Sequence, residues 1–169
     1  MAHGVIRTDN MLGTVSGTHL VSFKYQPSDT DTAIDNGNIV VIGDLIDGER
    51  ELHTASTPAA NSPLKNLAVV AGVEVMYDER KKNLDEYYNE AGKNTRGYYL
   101  SECKGYFSVT ADALDLTAGT PAKGNIVEAM AGTKMKVVSS LTSGSTQIGT
   151  IDAIEKNGRC TYYVIKLVG

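Results

Sequence analysis

Asn38-Ile39-Val40-Val41-Ile42-Gly43-Asp44-Leu45 is the stretch whose reading decides the fold. Val40, Val41 and Ile42 are all β-branched, stiff at χ1 and suited to a pleated surface. Gly43 within the run predicts a bulge or bend, and Asp47-Gly48 a turn. Just upstream, Gly37 leads out of the polar turn Asp35-Asn36. The phrase recurs near the other end as Gly124-Asn125-Ile126-Val127, after Ala122-Lys123. In each copy a glycine releases the chain from a turn into a half-buried strand, which is a structural device and not a chemical one. An internal duplication and a chance match in a chain rich in Gly, Asn and Val both fit the repeat.

Working outward, residues 1–16 (MAHGVIRTDNMLGTVS) show neither a helical nor a strand period and carry small breakers. They read as an extended arm that gains order only by lying on something. Residues 18–25 read as a strand, and Pro27 with the polar stretch to Asn36 as a loop. Residues 49–65 are polar with Pro58 and Pro63, a long surface connection. Residues 67–76 (LAVVAGVEVM) read as a strand, with Val73, Val75 and Tyr77 alternating at its end. The polar insert 78–93 offers only Leu84, Tyr87 and Tyr88 as an apolar stripe, so a flexible loop and one short helix around 83–91 fit it equally.

Beyond Thr95 the pattern is short strands and turns: 97–100, 106–111, 126–130, 135–139, 147–156 and 160–167, with a brief helical turn over 112–116. Asn157-Gly158 between the last two predicts a type I′ hairpin. Many short strands with Gly-rich turns give a mainly β fold, a compact β-barrel or β-sandwich body spanning 17–169 behind the arm.

With 169 residues the chain can bury one sizeable core, or two small β lobes. No run approaches the ~20 apolar residues of a membrane helix. The start lacks the charged and apolar blocks of a secretory signal, which points to assembly in a cytoplasm. Cys103 and Cys160 are too few for a disulfide framework and are expected as free thiols. A net charge of −4 argues against binding a phosphate backbone. Tryptophan is absent, but nine tyrosines include the pairs Tyr87-Tyr88, Tyr98-Tyr99 and Tyr162-Tyr163. A ring that buries while its hydroxyl stays hydrated suits an assembly surface.

Chemical motifs do not converge. His3, His19 and His53 lack neighbours at metal-ligand spacing. The acidic loops around 29–35 and 44–51 fail an EF-hand alignment, because Gly37 as sixth residue puts Thr32 first and Gly48 puts Gly43 first. An irregular cation site stays open. Gly119-Thr120-Pro121-Ala122-Lys123-Gly124 lacks the order of a P-loop, and Gly13-Thr14-Val15-Ser16-Gly17 has one residue too many for a nucleophile elbow. Lys81-Lys82 sits among acids and reads as a solvated face. No catalytic group, metal or cofactor is expected.

The C-terminal two-thirds resembles small virion proteins of tailed bacteriophages that coat or cement the head. The residues carrying the likeness are 36–44 (NGNIVVIGD), Gly97-Tyr98-Tyr99-Leu100 with Phe107-Ser108-Val109, 121–127 (PAKGNIV) and the closing hairpin 148–167. The insert 78–93 is an addition to that pattern. The resemblance implies a non-enzymatic decoration protein on the outer capsid surface of a virion, assembled in the host cytoplasm. Its partner would be the major capsid protein lattice, with neither nucleic acid nor membrane, and self-association, a trimer included, fits. The expected contact residues are Val5, Ile6, Met11 and Leu12 of the arm, with Tyr87, Tyr88, Tyr98 and Tyr99. A tail, adaptor or fibre-anchoring protein and a carbohydrate-binding β module are the alternatives.

Overall fold

The computed structural model describes residues 2–168. β1 (Ile6–Arg7) and α1 (Leu12–Ser16) open the chain. Then come β2 (Leu20–Tyr25), β3 (Ile39–Leu45), β4 (Leu52–Ser56), β5 (Leu67–Val70) and β6 (Thr95–Tyr99). These five close into a barrel of order β2-β4-β3-β5-β6, with β2 and β4 parallel and the other pairs antiparallel. β7 (Tyr106–Thr110), β8 (Leu114–Asp115), β9 (Ile126–Glu128), β10 (Met135–Val138), β11 (Gln147–Asn157) and β12 (Cys160–Leu167) follow. With β1 they form a seven-stranded sheet of order β1-β7-β12-β11-β9-β10-β8. The predicted mainly β body is thus a barrel packed on a sheet.

The packing follows from the period of two along a strand. β5 is buried at all four positions, and its side chains divide between two cores. Ala68 and Val70 point into the barrel with Val21, Phe23, Val40, Ile42 and Ala55. Leu67 and Val69 point the other way, joining Ile39 and Tyr98 against Phe107, Val127, Ile148 and Ile165 of the sheet. A strand covered on both faces needs an unbroken apolar run, which Leu-Ala-Val-Val supplies. Removing one such side chain forfeits its transfer energy, about 1.5–3 kcal/mol, and leaves a cavity besides.

Several local readings hold. The β3 register shifts between Ile42 and Leu45, the bulge predicted at Gly43. Gly37 and Gly124 both have positive φ, 81° and 90°, so the two copies of the phrase make the same kind of turn. They deliver β3 to the barrel and β9 to the sheet, where their neighbours differ.

Others are corrected. Residues 2–16 do not wait for a partner to become ordered, since they lie on the chain's own body. Ile6 pairs with Val109, the Val5 N–H donates to Thr110 Oγ1 at 3.1 Å, and Met11 bridges Gly105. Val5, Ile6 and Met11 are buried. Their lack of period reflects single residues dropped into separate gaps of the core. Among the described residues the one α-helix is α1, in this segment; around 83–91, where loop and short helix both fitted, there is one 3₁₀ turn, Leu84–Glu86, because the stretch has too few apolar residues to pack a longer one. The polar connection 49–65 contains β4, whose Leu52 and Ala55 are its buried residues. β5 ends at Val70, six residues before the predicted end at Met76. The last hairpin turns through Gly158-Arg159, between the paired Asn157 and Cys160. Gly158 has φ 60° and Arg159 does not have positive φ, the pattern of a type II′ turn in place of I′.

Candidate functional site

The β5–β6 ladder reaches Val70↔Gly97 and one further bond, from the Ala71 N–H to the Arg96 carbonyl at 2.9 Å. Beyond it the two arms separate and residues 72–94 leave the barrel. Two buried asparagines hold the base of this excursion. Asn36 Nδ2 donates to the Gly72 carbonyl (3.0 Å) and to Glu74 Oε1 (3.3 Å), while its Oδ1 accepts from the Gly72 N–H and from Asn89 Nδ2, both at 2.9 Å. Asn89 and Ile34 exchange backbone hydrogen bonds at 2.9 and 3.0 Å. Farther out, Glu86 accepts the N–H groups of Lys82 and Asn83, both at 2.8 Å, which holds its carboxyl below the usual range.

Between the arms opens a cleft of about 550 Å³, lined by Val75, Tyr77, Lys81, Tyr87, Tyr88 and Glu90 among others. Two of its three tyrosines are already engaged. Tyr88 stacks on His3 with ring centroids 4.8 Å apart, and the Lys81 ammonium stands 5.1 Å from the same ring. The Tyr87 hydroxyl donates to Asn89 Oδ1 at 3.2 Å, and burial, with Glu74 and Glu90 nearby, pushes its pKa up. Tyr77 is 94% exposed. His3 ties the chain's start to this region through Asp35 (2.7 Å) and the Asp85 carbonyl (2.8 Å), and Asp85 pairs with Arg159.

The eight residues singled out from sequence do not form one surface. Val5, Ile6, Met11 and Tyr98 are all buried. Tyr99 is half-buried and packs on the barrel interior cluster. Tyr87 and Tyr88 line the cleft. Leu12 alone of the arm set is exposed, at 54%. Val15, three residues on and on the same short helix, is 72% exposed, and Leu20 is exposed as well. The sequence reading missed Val15 and Leu20, although the i, i+3 spacing of Leu12 and Val15 was the signal. It also took Val73, Val75 and Tyr77 for the end of the strand that stops at Val70, and all three are exposed.

Among the described residues no three His, Cys, Asp or Glu side chains converge as a metal site would require. His3 pairs with Asp35 and His19 with Glu102, at 2.7 and 2.6 Å, and no Ser or Cys bonds the other ring nitrogen among the described residues. Cys103 and Cys160 are both free, and burial pushes the Cys103 thiol up, away from a reactive thiolate. No helix among the described residues is long and apolar enough to cross a membrane. No family model, curated protein or solved structure matches this chain.

Proposed function

We propose that this chain is a structural virion protein that coats the outside of a phage capsid lattice and reinforces it, acting by binding and not by catalysis. The sequence resemblance motivates the reading, and one structural observation carries it to residues. α1 turns Leu12 and Val15 outward on a base anchored by buried Val5, Ile6 and Met11. An apolar knob that is already ordered loses less entropy on docking than a free arm would. Repeated over a lattice, a small contact becomes an avid one. The partner is the major capsid protein lattice, and copies of the chain, as trimers or otherwise, occupy equivalent positions on it.

The test is to mix purified protein with emptied, undecorated heads, sediment them and count bound copies. Saturable binding at a fixed copy number is expected, with Leu12→Glu/Val15→Glu losing it while melting unchanged. Full occupancy by that variant would remove the knob's role. No binding by the unaltered chain, with rings or fibres seen in negative stain, would move the assignment to a tail or fibre component.

The cleft favours a second reading, a carbohydrate-binding module using Tyr77 and Tyr87. Tyr88 has its ring occupied by His3 and Lys81, which leaves a smaller platform than the sequence pair implies. A glycan array without hits would remove this reading.

A further inference from the structure

The pattern of β5 continues past its last paired residue. Residues 71–77 read Ala-Gly-Val-Glu-Val-Met-Tyr, with Val73, Val75 and Tyr77 exposed and Glu74 and Met76 half-buried. This is the alternation of a strand with one face covered. Among the described residues, the backbone N–H groups of Val73, Glu74, Met76 and Tyr77 have no acceptor within the chain. The Val75 N–H folds back on the Val73 carbonyl at 2.9 Å, a three-residue turn of the kind found at strand ends. The segment also carries little of the usual protection of an exposed edge. It holds no lysine and no proline, and its single charge, Glu74, is half-buried and bonded to Asn36.

We propose that residues 73–77 pair antiparallel with the same residues of a second copy of this chain, about a two-fold axis through Val75. Only registers that keep alternate residues on matching faces conserve the apolar stripe. Three such registers lie within reach. Centring on Glu74 sets two carboxylates directly opposite each other. Centring on Met76 sets Glu74 opposite Asp78 and Val73 opposite Glu79. Centring on Val75 sets Val75 opposite Val75, Val73 opposite Tyr77 and Glu74 opposite Met76. Like charges directly opposite are destabilising, and aromatic–β-branched pairs are favourable. The third register alone avoids facing carboxylates and matches all three exposed apolar residues with one another.

On pairing, the turn at Glu74 opens and the Val75 N–H exchanges its bond to Val73 for one across the axis. The contact is isologous, so it joins two copies and closes. It does not depend on which lattice, if any, the protein coats.

Sedimentation velocity over a wide concentration range should show a reversible monomer–dimer equilibrium. Val75→Lys places two ammonium groups at the axis and should weaken it by at least about tenfold, with unchanged melting. The register is read by oxidative cross-linking in a Cys160→Ser background, where the remaining Cys103 is buried. Val75→Cys should cross-link to itself, and Val73→Cys should not. Val73→Cys mixed with Tyr77→Cys should give the mixed dimer. A monomer at every concentration overturns the proposal. So does an assembly that survives Val75→Lys, or a Val73→Cys variant that self-links as readily as Val75→Cys.

Discussion

Thr142 donates both its backbone N–H and its hydroxyl to the carboxylate of Glu128, at 2.8 and 2.7 Å. Glu128 ends β9 and is 1% exposed, and the Lys136 ammonium lies 3.7 Å from the same carboxylate. A buried charge therefore pins the loop that joins β10 to β11. Hydrogen bonds to a charged group are worth about 1.5–3 kcal/mol. Thr142→Ala should lose that much in urea unfolding at unchanged m-value, and Thr142→Ser should recover most of it. Equal midpoints for the alanine variant and the parent would show that the hydroxyl contributes nothing.

Met11 is fully buried in the core. Met11→Ala should cost about 2–5 kcal/mol, the range for truncating a large buried side chain. Were the segment a peripheral arm, the change would stay within about 0.5 kcal/mol. Chemical denaturation of the single variant separates the two.

Glu74 gives a pH signature. Burial raises its pKa above the ordinary 4.5, against the lowering influence of Asn36 and Arg96. Between the ordinary value and the raised one the folded chain holds the proton more tightly, so stability falls as pH rises through that window. Glu74→Gln should match the parent below the window and be the more stable of the two at neutral pH. A gap that instead favours the parent at neutral pH would mean that the contacts of the charged form outweigh its burial.

The two thiols should separate cleanly. Cys103 is buried with a raised pKa, and Cys160 is half-exposed. Under native conditions an alkylating agent should label Cys160 alone, and in denaturant both, as peptide mass spectrometry would show. Native labelling of Cys103 would indicate that α1, whose Gly13 lies against its Sγ, opens readily.

Strands were legible where a side-chain period of two or a doubly buried apolar run wrote them into the sequence, as in β3, β5, β11 and β12. β4 was not, because His53 and Thr54 between Leu52 and Ala55 imitate a polar loop. The arm was misread for a related reason. Val5, Ile6 and Met11 each fill a gap built by residues far along the chain, and no local period records that. The candidate contact surfaces were half legible. Leu12 and the Tyr87-Tyr88 pair stood out by type, but exposure depends on where the ladder stops. Nothing in Leu-Ala-Val-Val-Ala-Gly-Val-Glu-Val-Met says that pairing ends at Val70. Gly72 and the two asparagines that clasp it decide that, and their meeting is tertiary.

β5 has no face of its own. Its inward side chains are the barrel's lining and its outward ones are the sheet's floor, so neither half can be peeled away without opening both. Mechanically the molecule is a single brick with one shared internal wall. Pulled from its two ends in an optical trap, it should yield in one rupture and not two. A load taken up at α1 would then pass through that shared wall into the sheet.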